Sequence, residues 1–180
     1  MFRWTSHLKV SQGRTFSAVV TVGNKLYSFG GYNENNNDQI HVSIFNTVSL
    51  RWMKLPPVAS GRGQLTLDVP ANRVQHTAVL INHVIYIWGG VVDFDIEHNG
   101  DWKTINGKYC NVLYAFNVDN HIWFKPKISG TAPEGRRNHS ACVLGEIMYR
   151  GEWGKLRRFL YLLPSRQTKR YISKIIDISQ

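Results

Sequence analysis

Short runs of small and β-branched residues alternate with polar ones along most of this chain, at the two-residue period of a strand. Ser17 to Val22 is the first run, and Lys25 to Phe29 follows it. Between them stands Gly23-Asn24, a pair with the chemistry of a tight hairpin turn. His41 to Phe45 and Arg51 to Leu55 predict two more strands, joined by a turn over Asn46 to Leu50. The order then returns: His76 to Ile81, the turn Asn82-His83, Val84 to Trp88, Asn111 to Phe116, and Ile122 to Lys125. No helical stripe interrupts these runs, so the pattern predicts an all-β chain built from four-stranded units.

The units repeat at the level of single residues. Arg14, Arg73 and Arg136 each stand 13 residues before a tyrosine, Tyr27, Tyr86 and Tyr149. In the first two copies a glycine pair, Gly30-Gly31 and Gly89-Gly90, lies 16 residues after the arginine. Phe45 precedes Trp52 by seven residues, and Phe116 precedes Trp123 by seven. Internal repetition of this kind marks a radial or stacked array. Each glycine pair permits positive φ and a close approach of backbone, where a side chain would strike the next unit. Trp52 and Trp123 supply large packing surfaces between adjacent sheets. A single four-stranded sheet cannot bury both of its faces, so it stacks against others as a propeller blade.

At these residues the chain resembles the kelch propellers. The resemblance is carried by Tyr27-Ser28-Phe29-Gly30-Gly31-Tyr32, Arg73-Val74-Gln75-His76, Ile87-Trp88-Gly89-Gly90, Asn111 to Phe116 and Arg137 to Gly145. It extends from Met1 to Tyr149, through turns and linkers such as Lys54-Leu55-Pro56-Pro57-Val58. It implies a kelch β-propeller, six-bladed in the branch most similar to this chain. That branch resembles substrate receptors of a cullin–elongin RING ubiquitin ligase, which read C-terminal degrons ending in glycine. An alternative implication is a chromatin-associated interaction protein linked to meiotic recombination. Both place the protein in cytoplasm and nucleus.

The third copy departs from the pattern in mid-strand. Arg150 falls where Ile87 does, Gly151 where Trp88 does, and Glu152-Trp153 where the glycine pair should be. The expectation is therefore a partial propeller over residues 1–149 and a divergent basic tail over 150–180, disordered or forming a short helix near Tyr171, Ile172, Ile175 and Ile176. Arg3-Trp4 with Leu8 resembles Arg51-Trp52 with Leu55, which predicts an outer strand that closes the ring. The count is one closing strand, two full blades and two strands of a third. Such a truncated or variant chain would leave blade faces and strand edges exposed, and would be marginal by itself.

Charge changes this picture little. The formal net charge is +10, but eight basic residues against two acidic ones lie between Arg150 and Gln180, so the body is only mildly basic. The aromatics occupy blade-packing positions, which argues against direct nucleic-acid binding. No apolar run approaches the length of a membrane span, and no signal peptide precedes the first strand. The two cysteines, Cys110 and Cys142, read as free thiols within strands. The expectation is a reduced, soluble, intracellular protein.

No phosphate loop or nucleophile elbow is present. Asp93, Asp95 and Glu97 share one loop without the glycine and downstream Glu of a calcium site. His76 and His139 hold equivalent repeat positions, which suits a structural role. The expectation is a non-catalytic interaction or adaptor protein with no cofactor and no metal. Two strands joined by one hairpin put their free ends together. Arg14, Arg73 and Arg136 should therefore share one face of the disc with Tyr32 and the long loops Asn33–Gln39 and Val91–Lys108. Two readings of these arginines stand open. They form a basic rim for an acidic or C-terminal peptide, or each packs within its own blade against a carboxylate or carbonyl.

Overall fold

The computed structural model describes residues 13–33, 39–55, 68–99, 102–152 and 155–157. The predicted closing strand at Arg3 to Leu8, most of the Asn33–Gln39 loop and the tail helix near Tyr171 lie outside these described residues. All regular elements among the described residues are strands.

The first blade is an antiparallel meander of β1 (Ala18–Val22), β2 (Lys25–Phe29), β3 (Val42–Asn46) and β4 (Arg51–Lys54). The second blade contains β5 (Thr77–Ile81), β6 (Val84–Trp88), β9 (Tyr114–Asn117) and β10 (Trp123–Phe124) in that spatial order. Between β6 and β9 the chain leaves the blade as a separate hairpin, β7 (Val91–Asn99) and β8 (Trp102–Tyr109). The third sheet is β11 (Ser140–Leu144), β12 (Ile147–Glu152) and β13 (Lys155–Arg157). The all-β, incomplete propeller expected from the repeats is the architecture observed.

Local chemistry explains the registers. Val22 pairs with Lys25, Ile81 with Val84, and Leu144 with Ile147, so each inner hairpin turns over two residues. Gly23, Asn82 and Gly145 sit first in those turns with φ of 54°, 55° and 63°. That sign matches the twist of the flanking strands. The outer turns repeat as well. Asn46 Oδ1 accepts from the amides of Val48 and Ser49, both at 2.9 Å, and Asn117 Oδ1 accepts from Asp119 and Asn120 at 2.9 and 3.2 Å.

The core lies between blades. Val20, Tyr27, Phe29, Val42 and Ile44 of the first pack against Ile85, Ile87, Phe116 and Trp123 of the second. The opposite face of the second blade, with Val79, Ile81, Tyr86 and Trp88, packs against Met148, Ala141 and Val143 of the third. β6 is thus covered on both sides, which is why Ile85 to Trp88 is an unbroken buried run.

Pairing continues past Tyr149. Arg150 stands opposite Ala141, and Gly151 opposite Ser140. Ladder hydrogen bonds belong to the backbone, so a charged residue in place of Ile87 does not end the strand. What changes is the sequel. β12 pairs at once with β13, Glu152 against Lys155. In the first two blades a longer excursion follows the glycine pair before the third strand.

Candidate protein-binding face

At one end of each blade, the segment before the first strand lies beside the segment after the glycine pair. Thr15 and Tyr32 exchange backbone bonds at 3.0 and 2.8 Å, and Val74 and Val91 do so at 3.1 and 2.9 Å. This end carries Arg14, Tyr32, Arg73, Arg136 and the β7–β8 hairpin.

The arginines are bound to the blades. Arg14 Nε donates to the Gly30 carbonyl at 2.9 Å and Nη2 to Gly31 at 2.8 Å. Burial lowers its pKa. Arg73 Nη1 donates to the carbonyl of Gly89 at 3.2 Å, and its guanidinium lies 4.9 Å from the centre of the Tyr114 ring. Arg73 is 1% exposed, so it has no open edge for a ligand carboxylate. The arginine therefore fixes the glycine pair 16 residues further on, in its own blade, by charge-assisted bonds to carbonyls. Arg136, half-buried, lies 5.9 Å from the Trp88 ring centre. The rim reading is narrowed accordingly: Arg73 belongs to the packing, while Arg14 and Arg136 keep partial exposure.

The glycine pairs face the next blade as well as their own. Gly31 N donates to Arg73 O, and Gly90 N to Arg136 O, both at 2.8 Å. A Cβ on Gly30 would meet Arg73 O at 2.6 Å, and one on Gly89 would meet His139 Cε1 at 2.5 Å. φ is +62° at Gly30 and +75° at Gly89, which favours glycine independently. His76, deep in this junction, is pushed down to about 3 by burial first, then by Arg73 and His139. Its repeat-mate His139 bonds Thr77 Oγ1 through Nε2 at 2.8 Å and stacks edge-on against Trp88. The two tryptophans at equivalent positions differ. Trp123 is 4% exposed, between Phe29 and Phe116, whereas Trp52 is 36% exposed beside Phe45.

The stretch expected as a loop, Val91–Lys108, is a paired hairpin. Residues from Val91 to Glu97 do alternate apolar and polar over most of their length, and a bulge between Val92 and Asp95 shifts the register. Asp93 sits in the bulge with φ of 48°. Ile96 opposes Ile105 on the inward side, where Val74, Val91, Tyr32 and Phe94 join them. Asp95 and Glu97 point outward, and Lys108 bonds Asp93 at 3.2 Å, an exposed pair. Among the described residues no group of three or more His, Cys, Asp or Glu gathers closely enough to hold a metal ion. No helix among them is long and apolar enough to cross a membrane.

The hairpin base holds two residues that the repeat pattern did not single out as a site. Tyr109 is 55% exposed opposite Val91, and the Arg137 guanidinium lies 5.6 Å from its ring centre. Arg137 Nη1 donates to the Ile105 carbonyl at 2.7 Å, tying the third sheet to the hairpin. The available signal was Arg137 itself, beside the repeat arginine but outside its spacing.

The KLHDC2/KLHL20/DRC7 Kelch-repeats domain family matches residues 11–154. Kelch domain-containing protein 3 of Homo sapiens is 49% identical over 154 residues, covering 83% of this chain and 37% of that protein. Rho GTPase-activating protein gacHH of Dictyostelium discoideum is 31% identical over 70% of this chain and 7% of its own. Among solved structures, that of YjhT is similar at a TM-score of 0.47 and 18% identity, over 76% of this chain and 33% of that one. The chain thus spans about a third of the length of the kelch domain-containing relative. With the family model matching residues 11–154, the chain belongs to the kelch-repeat family and is a protein-interaction module of that kind.

Proposed function

We propose that the hairpin end of the blades binds a protein or peptide ligand bearing a free carboxylate, and that it does so as part of a substrate receptor for a cullin–elongin RING ubiquitin ligase. The observation that carries the ligand reading is the contact of exposed Tyr109 with the half-buried Arg137 guanidinium. Tyrosine and arginine are among the residue types that most often anchor protein interfaces. A guanidinium on a rigid hairpin base suits a carboxylate, because its planar donors match the two oxygens. Tyr32 and the exposed edges of Arg14 and Arg136 line the same end. The ligase assignment is supported by the resemblance to kelch receptors and by the identity with a kelch domain-containing protein. On this reading the protein acts in cytoplasm and nucleus, without a bond-making residue of its own.

Fluorescence polarisation with peptides ending in a free glycine carboxylate tests the site. Binding should weaken at least about tenfold on C-terminal amidation, and by a similar factor on Arg137→Ala, which is about 1.4 kcal/mol. Equal binding of acid and amide rules out carboxylate recognition. For the ligase, elongin B–C should co-purify with this chain from cells. Salt-sensitive chromatin retention that survives deletion of residues 150–180, without elongin, would point to the chromatin-associated alternative instead.

A further inference from the structure

Two seams join the three sheets, one between the first and second blades and one between the second and third. At the hairpin end their backbones are built alike. Gly31 N donates to Arg73 O across the first seam, and Gly90 N to Arg136 O across the second, both at 2.8 Å. A backbone relay runs beside them: Gln75 N donates to Phe16 O at 3.1 Å, and Asn138 N to Gln75 O at 3.2 Å. A histidine fills each seam, His76 against Gly30 and His139 against Gly89.

The seams differ in what meets the imidazole. In the second, His139 Nε2 bonds Thr77 Oγ1 of the preceding blade at 2.8 Å. Thr77 opens β5 and pairs with Trp88. Ala18 holds that place in β1, paired with Phe29. A methyl group therefore occupies the repeat position from which a hydroxyl serves the other histidine. Neither ring nitrogen of His76 has a hydrogen-bond partner among the described residues, and His76 is 6% exposed.

This difference decides which imidazole can carry a proton in place. A hydroxyl oxygen can accept from a charged ring, so His139 keeps a partner when protonated. His76 has no such oxygen. Burial opposes its charged form most, followed by Arg73 and His139, while the Phe29 carbonyl alone favours it. No acidic side chain among the described residues acts on it. A buried charge without a partner costs several kcal/mol, so proton uptake at His76 needs water, and water reaches the ring when the seam parts.

We propose that the first seam is a proton-operated opening: when His76 takes up a proton, the hairpin ends of the first and second blades part, while the second seam stays closed. The opening is local, because the apolar contacts of Phe29, Ile85, Phe116 and Trp123 lie within the sheets. Closure is complete above the ordinary histidine value and is lost as the pH falls below it.

Amide hydrogen exchange on the full chain, expressed as protection factors, reads the two seams separately. Gly31 and Gln75 report the first, and Gly90 and Asn138 the second. Between about pH 6.5 and about pH 5, protection at Gly31 and Gln75 should fall about tenfold per pH unit, the linkage of one proton. Protection at Gly90 and Asn138 should hold. Ala18→Thr supplies the hydroxyl and should raise protection at Gly31 and Gln75 about fivefold, the worth of one hydrogen bond. Thr77→Ala removes it from the other seam and should transfer the pH response to Gly90 and Asn138. An equal pH response at all four amides, flat or steep, overturns the proposal. So does an Ala18→Thr chain whose first seam exchanges as before, or a first seam already unprotected at about pH 7.5.

Discussion

Gly31 donates its backbone amide to the carbonyl of Arg73 at 2.8 Å, across the boundary between the first and second blades. Its neighbour Gly30 accepts from Arg14 of its own blade and lies against Arg73 and His76 of the next. A residue with a Cβ would thus disturb two blades at once.

Gly30→Ala and Gly89→Ala are each expected to destabilise the fold by about 2–5 kcal/mol. Left-handed backbone costs an alanine about 1–2 kcal/mol, and forcing a methyl into a filled junction adds about 1–3 kcal/mol. Gly23 has a similar φ of +54° but nothing within 4 Å of a built Cβ. Gly23→Ala should therefore show the backbone cost alone. Urea denaturation of the three variants separates the terms, and equal losses would refute the steric one.

Trp123→Ala should cost about 3–5 kcal/mol, the range for a large core side chain. Trp52→Ala should cost about 1 kcal/mol, close to the worth of its aromatic contact with Phe45. Thermal melts of the two variants make the comparison. Similar losses at both positions would mean that the Trp52 side is covered in solution.

Arg73→Lys is expected to behave as a severe substitution, losing about 2–4 kcal/mol. An ammonium is a single point of charge and cannot reach the Gly89 carbonyl while lying over the Tyr114 ring, and a buried carbonyl left without its donor is costly. Arg14→Lys, at a half-buried site, should lose less. If Arg73→Lys weakens peptide binding without loss of stability, Arg73 is a ligand residue.

Stability should fall as the solution is acidified below about pH 6.5. His76 and His41 have folded pKa values pushed down to about 3 and about 4, while the unfolded chain takes up protons near 6.5. The stabilisation is complete above the unfolded value and is lost as the pH drops toward the folded ones. One differentially bound proton gives a slope of about 1.4 kcal/mol per pH unit. His76→Gln should reduce the slope of stability against pH between 6 and roughly 4 by about one proton. An unchanged slope would remove His76 from the account.

Strands and turns were legible because each depends on a local signal. Alternation located β1 to β6 within a residue or two, and Gly23, Asn82 and Asn46 marked the turns that their backbone chemistry demands. The partners of the repeat residues were less legible. Arg14 and Arg73 show a spacing of 16 to glycine, but nothing in the spacing says that the glycine carbonyls accept from them. A charged residue at 1% exposure is legible only once its acceptors are seen. The β7–β8 hairpin carries its own alternation, yet six acidic or basic residues, Asp93, Asp95, Glu97, Asp101, Lys103 and Lys108, gave it the composition of a loop. Tyr109 and Arg137 stand 28 positions apart, and only the hairpin's return to Val91 brings them together.

The relay through Phe16, Gln75 and Asn138 runs entirely through main-chain atoms. An aromatic, an amide and a shorter amide occupy one place, and what they share is φ of 61°, 58° and 54°. Blade-to-blade spacing there answers to a shared left-handed backbone conformation. Residues that tolerate that conformation can replace one another there without changing how far one blade is rotated from the next. The loops above the relay can then acquire new ligand preferences while the scaffold holds its angles.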